Sequence, residues 1–349
     1  MLRVFVILLT VIGLSASALA QEPTALTVIA HDSFNYSESI MEQFTQDTGI
    51  QVEVLRLGDT GLLVNQSLLN RDNPLGDVMF GIDNTFLGRA LEADLFIPYQ
   101  SPMLENVNET FIVDPEYRVT PIDYGDVCLN YDVAYFEDND LPVPQDLNAL
   151  TDPTYRGLLT VQNPATSSPG LAFLLATIAV FGDEGAYTYL DYWRDLVAND
   201  VYISDDWTDA YYNQFSGSLG SVGTRPLVVS YASSPPAEVF FADPQPEAAP
   251  TQAIVAPETC FRQIEFAGIL TGTEREAEAQ QFIDFLLSTA FQEDMPLNMF
   301  VFPVNTEAEL PAVFIDYASV PADPILMTPE TIDAGRETWL QAWIETVLR

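Results

Sequence analysis

Three segments decide the fold: LTVIAH at residues 26–31, IQVEV at residues 50–54 and DVMFGI at residues 77–82. Each is a short run of apolar or alternating residues typical of a strand. Apolar residues at helical spacing separate them, at residues 40–44 before Gly49 and at residues 62–69. This order of strands and helices predicts a βαβαβ unit with a parallel sheet and right-handed crossovers.

A second alternation of strands and helices follows after residue 150. The predicted strands are 157–162, 201–204 and 227–231, and the predicted helices are 169–181, 184–197 and 209–215. Residues 98–117 lack a clear period and indicate a surface connection, whereas residues 242–258 are rich in proline and alanine and indicate a loop. Further helices are predicted at residues 274–287 and from Pro329 onward.

Two extended segments, 119–131 and 260–269, flank this second unit. A chain that leaves one lobe, builds another and returns would use such segments as paired crossover strands. We therefore predict an α/β fold of two lobes, each a mainly parallel sheet flanked by helices. The first lobe would comprise residues 21–126 and 265–349, and the second lobe residues 127–264. A cleft between two lobes is a preferred ligand site.

The composition excludes several kinds of chemistry. The 349 residues include 51 acidic and 12 basic side chains, for a net charge of -39. All twelve basic residues are arginine and His31 is the only histidine, so a P-loop lysine, a Schiff-base lysine and a multi-histidine metal site are excluded. Nucleic acid is excluded as a partner by the same acidity, which favours cationic or neutral small molecules.

The first twenty residues have the pattern of a signal peptide. Arg3 precedes an apolar run at residues 4–14, and small residues lead up to Ala20. We predict cleavage after Ala20 and export of the mature chain. In an oxidising compartment Cys128 and Cys260 are expected to form a disulfide, and their positions in the two crossover segments favour this pairing. Free reactive thiols are the alternative.

Carboxylates stand directly after several predicted strands, where ligands bind in open α/β sheets. Asp32 follows the first strand, Asp83 follows the third, and Asp123 lies in the first crossover segment. They could attract a cation or bind an amine, or they could cap a helix or a turn. His31 stands alone, and we interpret it as structural.

Two Ser-Ser-Pro sequences precede predicted helices in the second lobe. They are Ser167-Ser168-Pro169, followed by Gly170, and Ser233-Ser234-Pro235. Serine hydroxyls and the exposed N–H groups of a helix N-terminus form a site suited to phosphate or carboxylate. Helix capping is the alternative interpretation for each.

Aromatic residues near predicted turns form a third class of candidates, because their faces can stack on a cationic heterocycle. This class consists of Tyr36, Trp207, Tyr211, Tyr231, Phe300 and Phe302. Trp193, Trp339 and Trp343 lie in predicted helices, and we assign them to packing.

Seven motifs together resemble the periplasmic thiamine-binding proteins of ABC importers in order and spacing. They are Asp32-Ser33-Phe34, Gly81-Ile82-Asp83-Asn84, Asp123-Tyr124-Gly125, Thr166-Ser167-Ser168-Pro169-Gly170, Asp206-Trp207-Thr208-Asp209-Ala210-Tyr211, Ser230-Tyr231-Ala232-Ser233-Ser234-Pro235 and Phe302-Pro303-Val304. The resemblance implies a two-lobed, type II periplasmic binding protein that closes on thiamine, accepts its phosphate esters and delivers the vitamin to a membrane permease. We further expect the protein to be a monomer and to require no metal or organic cofactor.

The resemblance further implies roles for individual residues. Trp207 and Tyr231 would contact the thiamine rings with Tyr211 nearby, and Asp32 and Asp83 would lie at the cleft edge of the first lobe. The full set of expected ligand-binding residues is Asp32, Asp83, Tyr124, Ser167, Ser168, Gly170, Trp207, Tyr211, Tyr231, Ser233 and Phe300. Where the family commonly has a tryptophan before its Pro-Val, this chain has phenylalanine, so the stacking residue of the first lobe is Phe300 or Phe302.

Three other functions fit parts of the sequence. A polyamine-binding protein also needs acids and an aromatic box. A ferric-ion-binding protein could use adjacent tyrosines such as Tyr211 and Tyr212, although a convincing ordered ligand set is missing. A thiamine-cleaving enzyme would need a cysteine nucleophile in the cleft, for which Cys128 is the candidate.

Overall fold

A continuous mixed sheet organises residues 24–349, the part of the chain that the computed structural model describes. The predicted signal peptide lies outside the described residues. Within the described part, no helix is both long enough and apolar enough to span a bilayer.

The strands are named in chain order as follows: β1 (Thr24–Ala30), β2 (Ile50–Arg56), β3 (Val78–Asp83), β4 (Phe96–Ile97), β5 (Thr120–Asp132), β6 (Leu159–Gln162), β7 (Tyr202–Ser204), β8 (Leu227–Tyr231), β9 (Thr251–Ile254), β10 (Phe261–Leu270) and β11 (Phe302–Pro303). The helices are α1 (Glu38–Thr48), α2 (Thr60–Leu69), α3 (Leu87–Glu92), α4 (Val133–Asp138), α5 (Ser168–Phe181), α6 (Tyr189–Ala198), α7 (Pro235–Phe240), α8 (Glu276–Leu286), α9 (Thr289–Asn298), α10 (Ala312–Tyr317) and α11 (Pro329–Val347).

The predicted βαβαβ unit is confirmed. Strands β2, β1 and β3 are parallel neighbours, and α1 and α2 connect them. Gly49 ends α1 because it adopts a left-handed conformation with φ of 74° and donates its N–H to the carbonyl of Thr45. We call this unit, with the elements packed on it, the first lobe.

The second parallel unit is also confirmed: β8, β6 and β7 are parallel neighbours. We call this unit, together with the other elements between β5 and β10, the second lobe. Strands β5 and β10 run antiparallel to each other at the centre of the order β2-β1-β3-β10-β5-β8-β6-β7, so they join the two lobes as the predicted crossover strands.

Several local predictions were wrong or incomplete. Residues 242–258 are not entirely loop, because β9 pairs with β5 in this stretch. Its four residues are too few to show a period beside the surrounding prolines. The helix predicted from residue 184 begins at Tyr189, where Thr188 and Asp191 form a capping box. The helix predicted at residues 209–215 is a π-helical turn over Asp209–Gln214.

Helix α11 packs across both lobes. Trp343 is fully buried and meets Trp193 of α6 edge to face at 5.3 Å, which confirms the packing role of both. Arg336, also in α11, lies 4.8 Å from the ring of Phe86 in the first lobe. The residue boundaries of the lobes therefore stay a prediction, since the C-terminal helix contacts both.

A disulfide joins Cys128 to Cys260, as the sequence predicts. Cys128 lies in β5 and Cys260 directly precedes β10, so the bond connects the two crossover segments. Both side chains are buried.

Candidate functional site

A cavity of about 310 Å³ lies between the lobes. The first lobe contributes residues that follow β1 and β2, the second contributes residues near the ends of β6, β7 and β8, and the crossover strands form the floor. Such a position agrees with the rule that ligands bind beyond the carboxyl ends of parallel strands.

Six of the predicted ligand-binding residues line this cavity: Asp32, Ser168, Trp207, Tyr211, Tyr231 and Phe300. They come from segments that are far apart in sequence and from both lobes. The structure thus brings together residues that the sequence could only propose one motif at a time.

Trp207 forms an aromatic wall of the cavity. Its indole stacks on the Tyr211 ring, with centroids 4.9 Å apart and planes inclined by 17°, and its Nε1 donates a hydrogen bond of 3.0 Å to Oγ of Ser230. Tyr211 is only 1% exposed, so it supports the indole from behind. The indole is therefore held in place where it lines the cavity.

Tyr231 forms a second aromatic surface above the floor. Its hydroxyl donates to Oε1 of Gln263 at 3.3 Å. Gly125 lies directly beneath the ring, and a Cβ at this position would come within 2.7 Å of Cδ1 of Tyr231. A glycine is needed here for the ring to lie against the crossover strand.

Phe300 is the aromatic residue of the first lobe that corresponds to the predicted stacking position. It lines the cavity, and its ring packs 5.5 Å from Phe241 of the second lobe. Phe302 does not line the cavity, since its ring stacks on Tyr124 at 5.3 Å. Of the two phenylalanines that the sequence offers, Phe300 lines the cavity and Phe302 does not.

Tyr124 does not reach the cavity. Successive side chains of a strand point to opposite faces, so Asp123 and Gly125 line the cavity and Tyr124 points away, between Phe302 and Phe111. Within the motif Asp123-Tyr124-Gly125, the residues that line the cavity are the two neighbours of Tyr124.

Asp83, Ser167, Gly170 and Ser233 also lie behind the cavity surface. Asp83 is fully buried and accepts hydrogen bonds from the hydroxyl of Ser168 and, at 2.7 Å, from the N–H of Thr85. Because Asp83 ends β3 and Ser168 begins α5, this contact bridges the two lobes.

A second bridge between the lobes involves Ser233. Its hydroxyl donates to the carbonyl of Phe300 at 2.7 Å and so fixes the loop that carries the aromatic ring. The backbone of Phe300 has a φ of 55°, which is strained for a phenylalanine. We interpret Ser233 and Asp83 as residues that position cavity walls.

Gly170 allows close packing at the N-terminus of α5. A Cβ there would lie 2.5 Å from the carbonyl oxygen of Gln162 at the end of β6. Ser167 is the N-cap residue of α5 and is fully buried. Both residues place the first turn of α5 against the sheet rather than contacting the cavity space.

His31 lies on the floor of the cavity. From the sequence alone it is interpreted as a structural residue. Its Nε2 lies 3.0 Å from Oε1 of Glu265, and its Nδ1 accepts a hydrogen bond of 3.2 Å from the N–H of Ser33. Burial lowers the pKa of His31, so the ring is neutral with its proton on Nε2. Gly81 makes room for it, since a Cβ there would lie 2.1 Å from the imidazole.

Glu265 and Asp123 form a carboxylate pair on the floor. They are direct neighbours across the antiparallel strands β10 and β5. Burial raises the pKa of Glu265 to about 8, and burial together with the charge of Glu265 holds the pKa of Asp123 well above its usual range. The pair therefore retains a proton near neutral pH.

The raised pKa of Glu265 predicts a loss of stability with rising pH. Between its unfolded pKa near 4.5 and its folded pKa of about 8, the folded state holds a proton that the unfolded chain has released. The contribution of Glu265 to the free energy of unfolding should thus be largest at low pH. It should fall by about 2 kcal/mol between pH 6 and pH 8.

Urea unfolding of the wild type and of Glu265→Gln at both pH values measures this effect. The difference between the two proteins reports Glu265 together with its effect on the neighbouring Asp123, and it removes the contributions of the other titrating groups nearby, which are His31, Asp59 and Asp83. Equal pH dependence of the two proteins would contradict the assignment.

Two acidic residues that line the cavity, Asp59 and Glu265, are not among the candidates that the sequence offers, whereas Asp123 is among them as a possible contact for a cation or an amine. Asp59 follows β2, so the strand-end rule that selected Asp32 and Asp83 could also have selected it. Glu265 lies between two apolar residues inside β10, where a buried acid gives no periodic signal. Across residues 24–349, no three His, Cys, Asp or Glu side chains are grouped so that they could hold a metal ion.

Known proteins resemble this chain over nearly its whole length. The family model described as "Bacterial extracellular solute-binding protein" matches residues 73–320. The thiamine-binding periplasmic protein of Salmonella typhimurium is 28% identical over 336 residues, covering 93% of this chain and 94% of that protein. The thiamine-binding periplasmic protein of Brucella suis is 26% identical over 352 residues, covering 98% and 97%.

A solved structure described as a periplasmic thiamin binding protein has the same fold. It superposes with a TM-score of 0.79 at 28% sequence identity, covering 93% of this chain and 96% of that one. The predicted fold class is therefore confirmed by both the sheet topology and this similarity.

Proposed function

Given that the chain belongs to the bacterial extracellular solute-binding protein family, we propose that it captures thiamine in the cavity between its lobes and delivers it to an ABC permease. The observation that carries the proposal is the combination of aromatic faces and buried carboxylates around one cavity. Trp207, Tyr231 and Phe300 supply the faces, while Asp123 and Glu265 supply the acids.

This combination suits the two rings of thiamine. The thiazolium ring is a permanent cation, and each contact between a cation and an aromatic face contributes roughly 0.5 to 2 kcal/mol. The aminopyrimidine can stack on a second aromatic surface and donate from its amino group to a carboxylate. A bound cation would also lower the raised pKa values of the floor and favour its charged form.

The remaining parts of the proposal follow from the sequence and from the relatives. The similar proteins of Salmonella typhimurium and Brucella suis are named as periplasmic, and the signal-peptide pattern ending at Ala20 supports an extracytoplasmic location for this chain. We further propose that the protein acts as a monomer and binds its ligand without a cofactor.

A catalytic role lacks its candidate nucleophile. Cys128 is fully buried and bonded to Cys260, so it has no thiol to attack a thiamine ring. The proposal is therefore capture of intact thiamine and not its cleavage.

Calorimetric titration of the mature protein with thiamine tests the function. We expect one ligand per chain, and mass spectrometry of the recovered ligand should find it intact. Spermidine serves as the control, because it carries positive charge without an aromatic ring. Binding of spermidine but not of thiamine would refute the proposal in favour of a polyamine-binding protein, and cleaved thiamine would refute it in favour of an enzyme.

A further inference from the structure

We infer that this protein releases a proton when it captures thiamine, because Glu265 and Asp123 lie side by side on the cavity floor without a cationic side chain and the thiazolium ring would supply the positive charge. This linkage rests on the proposed function and adds to it a dependence of the affinity on pH. It depends on where the sheet places its carboxyl groups and on where it places its arginines.

Three carboxyl groups lie side by side across the centre of the sheet. Glu265 in β10 is the direct partner of Asp83 in β3 on one side and of Asp123 in β5 on the other. Direct partners in neighbouring strands place their side chains on the same face, and like charges at such positions repel each other. Asp83, Asp123 and Glu265 are only 0%, 2% and 7% exposed, so water screens this repulsion poorly. The three groups therefore cannot all be charged at once.

Two oxygens of these acids are buried without a hydrogen-bond partner, Oδ2 of Asp123 and Oε2 of Glu265. Both residues line the cavity, whereas Asp83 lies behind its surface and is engaged by Ser168 and Thr85. A buried polar atom without a partner is costly, so it marks a place where a ligand can gain free energy by binding. The two free oxygens are thus the part of the floor that a cationic ligand would contact.

Arginine does not neutralise this part of the floor. Among residues 24–349, no arginine lines the cavity. Arg262 also lies in β10, but it is absent from the cavity lining and pairs with Asp126 at 2.6 Å. Arg336 of α11 interacts electrostatically with Asp83 and likewise does not line the cavity. A cation bound on the floor would therefore introduce a positive charge beside Glu265 and Asp123 that the chain itself does not supply.

The other titratable groups around Glu265 do not supply this charge either. Burial lowers the pKa of His31, whose Nε2 lies 3.0 Å from Oε1 of Glu265, and raises the pKa of Tyr231, so both are neutral near pH 7. The full set comes from the ends of β1 and β3, from the N-terminus of α2 and from strands β5 and β8, and consists of His31, Asp32, Asp83, Asp59, Asp123 and Tyr231.

The pair of Glu265 and Asp123 therefore exchanges a proton for the cation. Burial raises the pKa of Glu265 to about 8, and burial together with the charge of Glu265 raises the pKa of Asp123, so the free protein holds a proton here at neutral pH. A cation against the pair favours its charged form, and one proton passes to the solvent as thiamine binds. By linkage, the affinity must then rise with pH.

Calorimetric titration of the mature protein with thiamine at pH 7, in PIPES and in HEPES, counts the protons. The two buffers differ in their enthalpy of ionisation, so the difference between the observed enthalpies gives the number of protons that the buffer takes up. We expect release of roughly one proton per thiamine, and release of less than about half a proton would overturn the inference while leaving the proposed function intact. Failure of thiamine to bind in either buffer would overturn the proposed function itself.

Dissociation constants for thiamine measured at several pH values give an independent count. The affinity should rise about tenfold from pH 6 to pH 7 and less steeply above, because the free pair begins to lose its proton near pH 8. The sign follows from the exchange, since a low pH supplies the proton that thiamine must displace. A change of less than about threefold between pH 6 and pH 7 would contradict the inference.

Glu265→Gln and Asp123→Asn test the assignment to this pair. Each leaves a single carboxyl group beside a neutral neighbour of similar shape, so each should release less than half as many protons as the wild type. Glu274→Gln makes the same chemical change on the exposed loop between β10 and α8 and should release as many protons as the wild type. Wild-type proton release by the test variants, with wild-type circular dichroism spectra, would overturn the assignment. The measurements on the wild type decide the linkage itself even where a variant fails to fold.

Discussion

Replacing Cys128 and Cys260 by alanine should lower the free energy of unfolding by about 4 kcal/mol, because the disulfide closes a loop of more than a hundred residues in the unfolded chain. The two cysteines are 132 positions apart, and the closed loop contains the entire second parallel unit. Urea unfolding of the wild type and the double variant measures the loss.

Wild-type protein unfolded in the presence of a strong reductant is the matched control. It keeps both sulfur atoms in the folded state but lacks the cross-link in the unfolded state, so it separates loss of the bond from loss of packing around two buried side chains. We expect most of the loss to appear in this control as well. A loss below about 1 kcal/mol in the double variant would contradict the loop-closure explanation.

The single variant Cys260→Ala extends the test to function. It leaves Cys128 as a thiol, and the thiol would remain buried in β5 beside Ala232. Thiamine incubated with this variant should be recovered intact, because the attacking group of an enzyme must be accessible as a thiolate.

The large elements could be predicted because their periods are long and regular. Residues 26–82 show three strand segments separated by helical spacing, and the structure contains them as predicted. The extended segments at residues 119–131 and 260–269 could be recognised as crossovers because they flank a complete second unit. These features depend on local sequence pattern, which a single chain displays directly.

The precise site could be predicted only in part, because it depends on which way a side chain points after folding. Tyr124 and Asp123 are adjacent in sequence, yet strand alternation places only Asp123 on the cavity. His31 and Glu265 are 3.0 Å apart although 234 residues separate them along the chain. A pairing of this kind is created by the order and register of β1, β3 and β10 in the sheet, which no local motif encodes.

The hydrogen bonds between the lobes likewise could not be predicted from the sequence. Ser168 and Ser233 stood out as possible ligand residues, and the structure shows that each also donates a hydrogen bond to the first lobe, to Asp83 and to the carbonyl of Phe300. Helix capping and ligand binding were the alternatives considered for these serines. Their observed contacts indicate a further role, which is to hold the two lobes together around the cavity.

Replacing Trp207 by alanine should weaken thiamine binding by about 3 kcal/mol, or roughly 150-fold in the dissociation constant, if the indole stacks on a ring of the ligand. The loss combines the direct contact with the cation and the order that Tyr211 and Ser230 impose on the indole before binding. Calorimetric titration of the variant with thiamine measures it.

Trp207→Phe is the matched control for this prediction. Phenylalanine keeps an aromatic face against Tyr211 but loses the hydrogen bond from Nε1 to Ser230, so we expect a loss of only about 1 kcal/mol. Tyr231→Ala should weaken binding by about 1 to 3 kcal/mol for the same stacking reason. Unchanged affinity in both alanine variants would show that the ligand does not lie between these aromatic surfaces, and the cavity would then have to bind thiamine through its carboxylates alone.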